Sequence, residues 1–340
     1  LTAASYNSLD PTRNTTIISA KSSTKPVILI QAGVSPMPTI RGFIIRNGLD
    51  NITLSSEAII EFNYFVASKD QIDVTAGGGG IIRRNVFFAS QDDAIDLDNM
   101  NRPLLIEHNR LMYNRDDGIE VRLQDATAPA QPITITIRKN EIIGCNEDGI
   151  QFIDYGQAVD SNRNYTVTDN LIANCRLAGI GLMGNAISVE DYSGANIIET
   201  IRVYNNTIYG NDYGISGGDN LIAISNIITN STTRGVWRVQ GPQGANSGVM
   251  YGLFYNNGVD AEQSTLGLYN KFGQDPLFAY APSPGPDGTW KTVDDDFRGL
   301  ALLAGSPAID AGYDPSCPGT DLLGVTRPQG AHCDIGAFEY

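Results

Sequence analysis

The sequence predicts an all-β chain wound as one right-handed parallel β-helix with a loop-rich C-terminal closure. Three observations predict it. A short unit recurs along most of the chain. Within that unit, an Asn position is followed nine or ten residues later by an Ile/Val position. No segment shows the apolar period of a long helix.

The unit is an apolar stretch ending in Asn and further apolar residues, then a polar turn, a small residue, Ile and a polar residue. It reads IIEFNYFVASKDQID at Ile59–Asp73 and IIRRNVFFASQDDAID at Ile81–Asp96. LLIEHNRLMYNRDDGIE follows at Leu104–Glu120, then ITIRKNEIIGCNEDGIQ at Ile135–Gln151. The Ile/Val column is Ile52, Ile72, Ile95, Ile119, Ile150, Ile180, Ile215 and Val236. The Asn column is Asn63, Asn85, Asn109, Asn140, Asn170, Asn206 and Asn226. Leucine-rich repeats would need Leu-x-x-Leu-x-Leu, which is absent, and propeller blades would run longer and more regularly. Coils of about 20–25 residues, with insertions in one loop, fit a parallel β-helix of about nine to eleven coils. Like residues then stack at about 4.8 Å, and the Asn column becomes an amide ladder.

Asn14–Gln31 reads as the first one or two coils, and Gly42 is expected in place of a ladder Asn. The chain starts at Leu1 without a basic or apolar leader, so a processed product is expected, with room for coils upstream. The GGGG at Gly77–Gly80 reads as a loop. Cys145 and Cys175 share one register and are expected to stack, as buried thiols or as a disulfide. The repeat fades after Arg238, so residues 1–240 are read as regular coils and 241–340 as irregular coils of the same domain. Cys317 and Cys333, in that tail, are expected to form a disulfide, which points to a secreted or cell-surface protein. Asp310, Asp321 and Asp334 read as turn formers, and His108 and His332 as structural.

The 340 residues carry a net charge of −15. That argues against a nucleic-acid partner, which needs clustered Lys and Arg. No apolar run is long enough to span a bilayer. No nucleophile triad, zinc pattern, phosphate-binding loop or dinucleotide fingerprint is present. A monomer is expected.

Strand alternation around the Ile column sends Asp96 and Asp98 outward, then Glu120 and Arg122 on the next coil, then Gln151. The preceding turn adds Asp70, then Asp92 and Asp93, then Asp116 and Asp117, then Glu147 and Asp148. Like charges at coil spacing repel and raise one another's pKa. A cation is therefore expected, and a hard divalent ion taking many oxygens, Ca²⁺, suits the donors. The expected ligands are Asp92, Asp93, Asp96, Asp116, Asp117 and Glu120. The plain alternative is that Asp at these turns only bonds backbone N–H groups, which covers Asp70, Asp93, Asp117 and Asp148. It leaves the doubled acids and the outward Asp96 and Glu120 unexplained.

The tail motifs DPLF, GSPAIDAG and DIGAFEY resemble the C-terminal closure of exported bacterial β-helix proteins, several of them polysaccharide lyases. DDAID at Asp92–Asp96 resembles the calcium site of family-nine pectate lyases. That resemblance implies Asp92, Asp93 and Asp96 as ligands, with Asp70 from the coil before. A second register, Asp116, Asp117 and Glu120 with Asp92, also matches. The family's catalytic Lys is missing: the matched column reads Glu120, Gln151, Gly181. Related lyases use Arg as base, which implies Arg122 with Glu120 beside it.

Three functions fit these residues. The first is a calcium-dependent lyase cleaving an acidic, uronate polysaccharide by β-elimination. Arg122 would be its base, and Asp98, Gln151 and Tyr155 would bind substrate. The second is a glycoside hydrolase using Asp96, Asp98 and Glu120 as acid and base. The third is a non-catalytic carbohydrate-binding or cell-surface β-helix, in which aromatics such as Tyr113 and Tyr155 contact sugar. The first is preferred. Gly181 and Ser216 are expected to open a groove beyond the acids.

Overall fold

The structure is a computed structural model describing residues 1–3, 7–8, 10–98, 100–123, 129–154, 162–183, 199–217, 220–240 and 247–340. The chain forms a right-handed parallel β-helix. Three sheets of 11, 10 and 9 strands run its length, matching the expected number of coils. In one coil the chain passes through Leu104–Glu107, turns at the ladder Asn, and continues as Arg110–Met112. A second turn leads into Ile119–Leu123, and the next coil begins at Ile133–Arg138. We call the three sheets pre-ladder, post-ladder and acidic, in that order.

The Ile column holds the register of the acidic sheet. Ile95 pairs with Ile72 and Ile119, and Ile150 pairs with Ile180. These side chains are fully buried in one continuous core. Stacked rings extend it, as between Phe65 and Phe87 at 4.8 Å.

The Asn column forms the expected ladder. The backbone N–H of Asn109 and its side-chain amide both donate to Asn140 Oδ1, at 3.0 Å each. Asn140 donates likewise to Asn170 at 2.9 and 3.0 Å, and its Nδ2 reaches the Ile106 carbonyl at 3.0 Å. An amide can do this because it carries a donor and an acceptor together. The residue before each Asn has positive φ, as at Arg84, His108 and Lys139.

Two expectations are corrected. Gly42 stands in that positive-φ position, and Phe43 holds the place of the ladder Asn, its N–H donating to Asn63 Oδ1. Gly79 and Gly80 open the strand Gly79–Arg83 rather than lying wholly in a loop. Of the two readings for Cys145 and Cys175, buried free thiols is the one found. Cys317 and Cys333 form the expected disulfide.

The C-terminal tail does more than close the last coil. It runs back over the outer face of the post-ladder sheet. Phe297, Leu300, Leu322 and Phe338 pack on Met112, Ile143 and Leu171. Arg110 donates to the Val293 and Asp295 carbonyls, and Arg298 pairs with Glu141 at 2.6 Å. Buried Arg327 lies 3.4 Å from both Asp169 and Glu339. Asp310, Asp321 and Asp334 each accept a backbone N–H at the carboxylate, from His332, Val325 and Tyr340.

Replacing Asn140 by Ala removes the acceptor of two buried donors. We expect a loss of about 3 kcal/mol, seen as a lower urea midpoint at unchanged m-value. A loss under about 0.5 kcal/mol would show that the ladder is not stabilising.

Candidate functional site

The strands Ile72–Val74, Ile95–Asp98, Ile119–Leu123 and Ile150–Asp154 lie side by side in the acidic sheet. Their register aligns Asp73, Asp96, Glu120 and Gln151 in one outward column. Asp98 and Arg122 align in the next.

The turn before this sheet carries a second ladder, made of carboxylates. Asp70 Oδ1 accepts the Asp93 N–H at 3.2 Å, and Asp93 Oδ1 accepts that of Asp117 at 2.9 Å. Asp117 Oδ1 accepts the Asp148 N–H at 2.7 Å, and Asp148 Oδ1 that of Ala178 at 2.8 Å. All four acids are buried. The backbone-bonding explanation therefore holds for this column, with the bonds reaching the next coil rather than staying local. It does not reach Asp92, Asp116 and Glu147, which form a more exposed rim. Nor does it reach Asp96 and Glu120, both 6% exposed.

Two cations enter the cluster. Arg122 lies 2.8 Å from Asp96, 3.0 Å from Asp98 and 2.7 Å from Glu120. Lys69 bridges Asp70 at 3.1 Å and Asp92 at 2.8 Å. Sequence reading missed Lys69 and Asp50. The signal was available: the turn KDQID is one residue shorter than QDDAID, so aligning the Ile column puts Lys69 beside Asp92. The Asp92 N–H indeed donates to the Lys69 carbonyl at 3.1 Å.

The six expected metal ligands divide among overlapping groups. Asp93, Asp117 and Glu120 bring carboxylate oxygens within 4.8 Å of one another, all buried. Asp92 and Asp93 group with Asp70, and Asp116 and Asp117 with Glu147. Asp96 groups instead with Asp73 and Asp98. One Asp96 oxygen, Oδ1, is buried with no hydrogen-bond partner.

The electrostatics follow from burial and crowding. Burial, then repulsion from Asp50 and Asp98, pushes the Asp73 carboxyl up to about 7. Burial pushes Asp96 up to about 8 against the opposing pull of Arg122. Burial and the Glu120 carboxyl raise Asp93, and burial with Asp148 and Asp93 raises Asp117. Arg122 moves further up: its three carboxylate neighbours outweigh the effect of its own burial. Hard oxygen donors, crowded and short of positive charge, fit a divalent cation.

The expected groove beyond Glu120 is not open. Gln151 and Ser216 are buried. A Cβ on Gly181 would sit 1.7 Å from Asp148 Oδ2, so the Asp148 side chain fills the space that the glycine leaves. Tyr155 lies outside the described residues.

A family model described as right handed beta helix region matches residues 10–153. No curated relative matches the sequence. Among solved structures the chain is similar to one titled crystal structure of pectate lyase Pel9A. The two are 13% identical with a TM-score of 0.30, over 95% of this chain and 87% of that one.

The raised carboxyls bind protons more tightly in the folded than in the unfolded chain. Their contribution to stability is complete below the ordinary carboxylate range and is lost as pH rises through about 7 and 8. In chelator the melting temperature should fall between about pH 6 and pH 9. Added Ca²⁺ should restore it, and by more at the upper pH. A flat profile, or equal calcium effects at both pH values, would contradict this account.

Proposed function

We propose that the chain is a calcium-dependent polysaccharide lyase acting on a uronate polymer at the acidic sheet. The observation that carries this reading is the acidic cluster itself. Its carboxylates outnumber Lys69 and Arg122, and it leaves Asp96 Oδ1 buried and unpaired. A polyanion would be repelled by such a face unless a cation bridged it.

Asp93, Asp117 and Glu120 would hold that cation, with Asp92 and Asp116 on the rim. The chemistry it supplies is neutralisation of a substrate carboxylate. The geometry revises the role of Arg122. Held by three carboxylates, it stays charged and does not fit the base first assigned to it. It suits binding and orienting a uronate carboxylate. Asp96 fits proton transfer better, since its carboxyl is poised near neutral pH beside Arg122.

The same poise favours the hydrolase as second reading: a proton-bearing Asp96 beside Asp98 and Glu120 resembles an acid with its partner carboxylate. The Cys317–Cys333 disulfide supports a secreted or surface location for either.

The test is a panel of uronate polysaccharides assayed for ultraviolet-absorbing unsaturated products, with and without Ca²⁺. We expect such products only with Ca²⁺. Asp96→Asn should lower kcat at least about 100-fold. Arg122→Ala should lower kcat/KM at least about tenfold. New reducing ends without absorbance, insensitive to chelator, would move the assignment to the hydrolase. No cleavage of any polymer would leave a carbohydrate-binding protein.

A further inference from the structure

A cavity of about 480 Å³ lies at the turn between the post-ladder and acidic sheets. Tyr113, Asn146, Asn174, Arg176, Trp290 and Lys291 line it. The coils and the tail build it together. Asn146, Asn174 and Arg176 come from the turns of two successive coils, and the returning tail supplies Trp290 and Lys291.

Its aromatic walls are fixed. The Tyr113 hydroxyl bonds Asp295, and its ring lies against Gly144, where a Cβ would sit 2.5 Å from the ring carbons. Gly144 has φ +70, so both its conformation and its neighbour require glycine. Trp290 meets the buried Phe297 edge-on at 6.2 Å and is still 49% exposed.

Among the described residues no carboxylate lies within ion-pair distance of Arg176 or Lys291. In a chain of net charge −15, two cations without an ion pair among the described residues, beside the exposed Trp290 and the half-buried Tyr113, are a selective arrangement. Exposed ring faces take the apolar face of a sugar, amides take its hydroxyls, and Arg and Lys take a carboxylate. Asn146 also directly precedes Glu147, a member of the acidic rim. The cavity and the rim therefore draw on the same turn.

We propose that this cavity is a saccharide subsite selecting a uronate residue, with Trp290 as platform and Arg176 and Lys291 on the carboxylate. The inference rests on the polysaccharide reading above for its ligand class, but not on catalysis or calcium. The test is calorimetric titration of the whole chain, in chelator, with galacturonate and mannuronate hexasaccharides and a neutral glucan hexasaccharide, followed also by tryptophan quenching. At least one uronate should bind and quench fluorescence, and the neutral sugar should bind at least about tenfold more weakly. Arg176→Ala should weaken uronate binding by at least about tenfold. Trp290→Ala should abolish the quench; because Trp290 supports Phe297, the exposed Arg176 variant carries the decision if that protein fails to fold. Binding without any turnover in the product assay would uphold the subsite and sink the lyase. No uronate binding, equal binding of the neutral sugar, or unchanged affinity in Arg176→Ala would overturn the subsite whatever the enzyme assay shows.

Discussion

Parallel stacking of coils at about 4.8 Å is the constraint on which the rest depends. It turns every repeated residue into a column, and the chemistry of the residue decides what the column needs. An Ile column needs only burial. An Asn column satisfies itself, because each amide both donates and accepts, and seven ladder residues do so without charge. An Asp column cannot. Its ionised carboxylates only accept, so Asp70, Asp93, Asp117 and Asp148 take backbone N–H groups and still crowd negative charge. The acidic sheet is thus a consequence of the same repetition that makes the fold stable, and it requires protons or cations from outside.

The tail decides which surfaces remain for function. It covers the post-ladder sheet through Phe297, Leu300 and Phe338, and is tied down by Arg110, Arg298 and Arg327. The acidic sheet stays clear of these contacts. At the turn between the two, Trp290 of the tail meets the coil residues Asn146 and Arg176. Both proposed sites therefore flank one edge of the helix, the carboxylates on one side and Arg176 and Lys291 on the other.

The coil architecture was legible because period and register are properties of sequence. Ile95 against Ile119, and Asn109 against Asn140, follow from spacing alone. The acidic columns were legible for the same reason, whereas the disulfide of Cys317 and Cys333 was legible from two cysteines in a loop-rich tail. What was not legible depends on where a side chain leans. Asp148 filling the space over Gly181 closes a groove that residue size suggested was open. Arg122 reaching three acids is a set of ion pairs that the outward alternation does not reveal. Contacts such as Arg110 to Val293 join residues far apart in a tail without period, so no pattern announces them. Lys69 was a missed alignment rather than a hidden one.

The most direct measurement of the central claim is an anomalous-difference map from crystals soaked in Mn²⁺ or a lanthanide as a calcium substitute. The account predicts a peak on the acidic sheet, ligated by carboxylates of Asp93, Asp117 and Glu120. A map without a peak there, with those carboxyls paired through shared protons instead, would contradict it.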